Sequence, residues 1–116
     1  MSRQAAIVMT GLLLVAVAAW AQDAMQYHVK HLTVLAEDDH VRVLRYAPHR
    51  GDATPMHSHP QTVVYVVRGG RVRYTFPDGS TKDGELKTGE ALLRAPVTHA
   101  DLALDDVEAI LVELKR

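Results

Sequence analysis

Gly51-Asp52-Ala53-Thr54-Pro55-Met56-His57-Ser58-His59 leads into Thr62-Val63-Val64-Tyr65-Val66-Val67, and a further histidine, His99, follows beyond Ala95-Pro96. Side chains two residues apart on an extended chain share a face, so His57 and His59 point the same way. A third imidazole from a neighbouring strand would complete a metal site. No Asp or Glu lies between His59 and Asp78, where a carboxylate ligand is expected.

Outward from this stretch, short apolar runs alternate with turn residues: Val41–Tyr46, Thr62–Val67, Val72–Phe76, Ala91–Arg94 and Val107–Leu114. Their Val, Tyr and Thr content favours strands, and their spacing predicts an all-β sandwich or barrel. A further strand is expected at His31–Leu35, and no stretch carries a helical period. Arg68-Gly69-Gly70-Arg71 predicts a tight hairpin with glycine at positive φ. Pro77-Asp78-Gly79-Ser80 and Lys87-Thr88-Gly89-Glu90 predict two more turns, and the three together suggest an antiparallel meander. Ile110–Leu114, apolar at every position but Glu113, is expected to be a strand covered on both faces.

The chain has 116 residues and suits one small domain. Arg3, the apolar run Ala5–Ala19 and Ala19-Trp20-Ala21 before Gln22 have the form of a secretory signal peptide cleaved after Ala21. The run is shorter than the roughly 20 residues of a membrane span, so an uncleaved anchor is the lesser alternative. Residues 1–21 are therefore expected to be removed, leaving an N-terminal arm, 22–40, and a β domain, 41–116, in a periplasmic or secreted protein. With no cysteine, neither a disulfide nor a lipidated cysteine is available, which leaves packing, a metal or dimerisation to supplement a small core. A formal net charge of -1 gives no electrostatic case for nucleic acid or an anionic membrane as partner.

The frame Gly51-x5-His57-x-His59-x3-Val63-x6-Gly70 resembles the first cupin motif, and Gly89 through Pro96 to His99 resembles the second. The resemblance covers about residues 41–116. It implies a single cupin β-barrel, an antiparallel jelly roll or double-stranded β-helix, with a divalent metal (Fe, Mn, Ni or Zn) on His57, His59 and His99. Two positions depart from the pattern: Val63 stands where the motif has glutamate, and Ala103 where it has asparagine. Gln61 or Thr62 is then a candidate neutral oxygen ligand, with Gln61 preferred. Without an anionic ligand the ion keeps its full charge, which weakens its binding and favours an anionic substrate.

Tyr65 shares the parity of His57 and His59 and is a candidate to orient a substrate or donate a proton, against a plain core role. Arg94 is a candidate clamp for a carboxylate, against an exterior strand position. Tyr74 is expected to face the core. Asp101 shares a face with His99 and is a candidate acceptor for its second ring N–H. His28, His31, His40 and His49 are assigned to the surface or the arm.

Cupins include dioxygenases, isomerases, lyases, storage proteins and ligand sensors, so the fold alone does not choose a function. The expectation is a small exported cupin acting on a small organic acid or related metabolite. Its general pattern is similar to small bacterial cupins of β-alanine and polyamine catabolism. The alternative is a non-catalytic module that senses or sequesters a small molecule or metal. A homodimer is a further expectation, with the arm, His28–Leu35, adding a strand to a partner.

Overall fold

The computed structural model of the chain describes residues 23–115; the expected signal peptide lies outside the described residues. Nine strands follow a short 3-10 helix at Ala24–Tyr27: β1 Leu32–Glu37, β2 Val41–Tyr46, β3 Ala53–His59, β4 Thr62–Arg68, β5 Gly70–Thr75, β6 Thr81–Leu86, β7 Ala91–Arg94, β8 Val97–Ala103 and β9 Glu108–Leu114. They form two sheets, ordered β1-β2-β9-β4-β7 and β3-β8-β5-β6, and every pairing is antiparallel. The arm therefore supplies the first strand of the larger sheet. Leu44, Val64, Val66, Val72, Ala109 and Leu111 fill the space between the sheets. Burial of these side chains stabilises each by about 1.5–3 kcal/mol relative to exposure for the larger ones.

The expected meander is not what forms. Only β1–β2 and β5–β6 are consecutive strands that pair, and from β2 to β5 and from β6 to β9 the chain changes sheet at each connection. Arg68–Arg71 is one of these crossings, and neither Gly69 nor Gly70 has a positive φ. Glycine is required there for room. A Cβ at Gly69 would collide with the Leu86 carbonyl oxygen, and one at Gly70 would stand 2.9 Å from Val107 and 3.0 Å from Asp105. Positive φ is instead found at Gly79 and Gly89, in the other two turns.

Arg42 on β2 is held between two carboxylates. Its Nη1 and Nη2 donate to Asp23 at 2.7 Å, and its Nε donates to Glu113 Oε1 on β9 at 2.8 Å. Charge-assisted, two-pronged pairing of this kind is the strong form of an ion pair, and it fastens the arm to the middle of the larger sheet. Glu113 is 2% exposed. Burial pushes its carboxyl up, but hydrogen bonds from His59 and Arg42 outweigh burial and hold it below its ordinary value. A carboxylate whose folded pKa is lowered stabilises the fold above its unfolded pKa of about 4.3 and loses that contribution as pH falls through the folded value.

Two outcomes are expected from urea unfolding. Gly69→Ala destabilises the protein by about 1–3 kcal/mol, because backbone must shift to admit the methyl group; an unchanged midpoint would mean the crossing is looser than described. Arg42→Met strands a buried charge and costs about 3 kcal/mol at neutral pH. That loss shrinks in acid, where Glu113, held down by one hydrogen bond fewer, takes up a proton at higher pH than in the unmodified protein. A loss independent of pH would assign the effect to packing of the arginine stem.

Candidate metal centre

Three imidazoles meet between the sheets. The register of β3 against β8 slips between Thr54 and His57. Thr54 and His57, each 2% exposed, consequently both face the interior, although an unbroken strand would put residues three apart on opposite sides. His57 lies directly opposite His99 on β8, and His59 follows two residues along β3. The ring centroids are 4.7 Å apart for His57 and His59, 5.0 Å for His57 and His99, and 5.6 Å for His59 and His99. One nitrogen of each lies within 4.8 Å of the others. Donors bound at about 2.0–2.1 Å to one ion lie roughly 3–4 Å apart, so the cluster fits a divalent metal after small ring rotations.

The hydrogen bonds behind the rings fix which nitrogens face inward. His57 Nδ1 is 2.7 Å from the Pro55 carbonyl oxygen, which only accepts, so Nδ1 carries the proton. His59 Nδ1 is 2.6 Å from Glu113 Oε2, and that carboxylate, ionised beside Arg42, likewise accepts. In neutral rings both Nε2 atoms are then bare lone pairs, yet they face each other at 2.9 Å. Two acceptors at this distance repel unless they share a cation. A carboxylate behind a histidine is also the arrangement that orients metal-ligating imidazoles. Burial is the main cause that lowers the His57 and His99 pKa values, and neighbouring histidines and Arg94 help bring His99 to about 3. Both rings thus stay in the neutral form that binds metal.

Charged and phenolic groups complete the surroundings. Asp101, 8% exposed, accepts a hydrogen bond from Tyr46 Oη at 2.9 Å on Oδ1, while its Oδ2 stands 3.7 Å from His57 Nε2. Burial, followed by the Asp101 charge and hydrogen bond, pushes the Tyr46 phenol up, so it remains a donor. Arg94 Nη2 donates to Tyr74 Oη at 3.1 Å, and its guanidinium lies 5.4 Å from the centre of the Tyr74 ring. No carboxylate pairs with Arg94 among the described residues. The Tyr74 ring is 4.9 Å from that of His99. Beside His99 opens a cleft of about 460 Å³, whose lining includes Tyr74, Phe76, Leu86, Leu92, Arg94 and Val97.

The structure brings His57, His59 and His99 together and turns Arg94 toward them, but it places Gln61 and Tyr65 elsewhere. Gln61 is exposed, and its carbonyl accepts the Leu114 N–H at 2.9 Å. Tyr65 is 50% exposed, on the outer face with Val67 and Leu93. The bend at Pro60-Gln61 changes the parity between β3 and β4, so Thr62, Val64 and Val66 point inward instead. Thr62 uses its hydroxyl on the Pro60 carbonyl. The β4 residue that lines the cavity is therefore Val64 rather than Val63, and it too is apolar. Asp101 is hydrogen-bonded to Tyr46 and not to His99. His31, expected at the surface or arm, is 7% exposed in its side chain and bonds Thr54 Oγ1 at 2.8 Å. Tyr46, Arg42 and Glu113 were not foreseen as parts of the site. The available signal was Glu113 itself, a charged residue at the same parity as Ala109 and Leu111 in an otherwise apolar strand.

No family model and no curated protein matches the sequence. Solved structures do. A cupin domain from Bordetella pertussis Tohama I is similar with a TM-score of 0.66 at 22% identity, over 73% of this chain and 92% of that one. An RmlC-like cupin family protein with a double-stranded β-helix fold, from Methanocaldococcus jannaschii, gives 0.56 at 16% identity, over 72% and 78%. KdgF from Halomonas sp. gives 0.53 at 20% identity, over 76% and 83%. Two antiparallel sheets facing across a histidine-lined interior, with these structural neighbours, give the described residues of this chain the RmlC-like cupin fold.

Proposed function

We propose that the chain binds a divalent metal through His57, His59 and His99 and presents it to a small organic acid. The observation that carries this reading is the pair of inward Nε2 atoms at 2.9 Å, on rings whose Nδ1 atoms each face an acceptor. Arg94 supports the choice of an acid: a half-buried guanidinium beside the histidines, bonded to a tyrosine rather than a carboxylate, has the planar fork that a substrate carboxylate matches. The apolar lining of the adjoining cleft would hold the rest of such a molecule.

A bound iron would supply dioxygen chemistry, and zinc would supply Lewis-acid chemistry. The protein's own part is to orient the acid with Arg94 and Tyr74 and to keep the His57 and His99 imidazoles neutral. A dioxygenase-like reaction in β-alanine or amine catabolism is one setting for an organic-acid substrate, and an isomerase or lyase is another. A non-catalytic sensing or sequestering module is the second reading, favoured by the apolar Val64 and Ala103 in the interior. Export follows in this proposal from the Ala5–Ala19 run and the site after Ala21. A homodimer would have the exposed Tyr65, Val67 and Leu93 to cover.

Element analysis of the mature protein purified without chelators is expected to find a stoichiometric divalent metal that His57→Ala loses. Metal content no higher than in His57→Ala would end the metal reading. Arg94→Gln is expected to keep the metal while weakening binding of carboxylate ligands at least roughly tenfold, as for loss of a charged hydrogen-bond partner. Equal binding of carboxylates and their amides by the unmodified protein would remove the organic acid from the proposal. Bound metal with carboxylate binding but no turnover of any acid would favour the sensor.

A further inference from the structure

We propose that Asp101 supplies the site with the anionic ligand that β4 lacks, so that the metal is held by three histidines and a carboxylate from β8. This rests on the metal-binding reading. Its own basis is the position and the charge balance of Asp101. His99, Asp101 and Ala103 alternate along β8, and all three are buried, so the carboxylate projects into the same interior as the His99 ring. Its Oδ1 is taken by Tyr46, which leaves Oδ2 toward the histidines, 3.7 Å from His57 Nε2. That separation falls in the range of roughly 3–4 Å for two donors of one ion, and the 2.9 Å between His57 Nε2 and His59 Nε2 lies just below it. His57 is thus the shared neighbour of His59 and Asp101.

The two carboxylates nearest the histidines differ in their partners. Glu113 has Arg42, a permanent cation, and is occupied behind His59. Asp101 has a neutral phenol and an imidazole. A buried carboxylate needs a positive partner or a full set of donors, and a divalent ion at the histidines would provide the charge. Of the inward β4 residues Thr62, Val64 and Val66 none is anionic, and the Thr62 hydroxyl donates to the Pro60 carbonyl. Tyr46 would then act as a positioning residue, holding one carboxylate oxygen so that the other points at the ion.

The test compares metal-free protein, Asp101→Asn and Asp101→Glu by titration with Co²⁺, reading both affinity and the visible absorption bands of the bound ion. The expected result is a fall of at least tenfold in Co²⁺ affinity and altered bands for Asp101→Asn, with Asp101→Glu closer to the unmodified protein. Unchanged affinity and bands in Asp101→Asn, with Co²⁺ still bound by the unmodified protein, would overturn the role of Asp101 and leave the three-histidine reading intact. No Co²⁺ binding by the unmodified protein would overturn both. Should Asp101→Asn fail to fold, infrared difference spectra of the unmodified protein and Glu113→Gln decide the matter. A metal-induced carboxylate shift that persists in Glu113→Gln supports Asp101, and its absence rejects it.

Discussion

Two imidazole nitrogens facing each other at 2.9 Å are the constraint around which this interior is organised. The rings cannot relieve the contact by exchanging tautomers, because Pro55 and Glu113 each hold an Nδ1 proton from behind. Glu113 can do so only while it is ionised, and in a buried position that requires Arg42. Arg42 in turn is shared with Asp23. The chain of contacts thus runs from the arm through β2 and β9 to an imidazole of β3, and it crosses from one sheet to the other.

The same interior carries an asymmetry of charge. On the His59 side a carboxylate is neutralised by arginine, on the His57 side Asp101 has only polar partners, and near His99 the guanidinium of Arg94 has no carboxylate. A divalent ion and an organic anion would satisfy the second and third together. Binding of either would then favour the other, through attraction strengthened by the low dielectric of the cavity.

Strands with apolar inward positions were legible in the sequence: β2, β4, β7 and β9 fall where their alternation of Val, Leu and Tyr suggests. β6 and β8 were not, for different physical reasons. Thr81–Leu86 is an edge strand whose residues are mostly exposed, so no apolar face records its pairing. Val97–Ala103 turns His99 and Asp101 inward, and polar residues at core positions hide the very alternation that identifies a strand. The three histidines could be read from their spacing. Of their supporting groups only Asp101, on the strand of His99, could be; Arg42, Tyr46 and Glu113 come from two other strands, β2 and β9, and reach the histidines only through register. Tyr65 and Gln61 were misplaced by one slip of parity at Pro60-Gln61, which inverts every side chain of the following strand.

The central claim is that a metal ion, rather than a proton, joins the inward nitrogens of His57 and His59. Anomalous X-ray diffraction from crystals of the protein grown with Co²⁺ at neutral pH tests it most directly. The account predicts an anomalous peak about 2.0–2.2 Å from Nε2 of both residues. Crystals that show no peak at the histidines, with the two Nε2 atoms still at hydrogen-bonding distance, would contradict it.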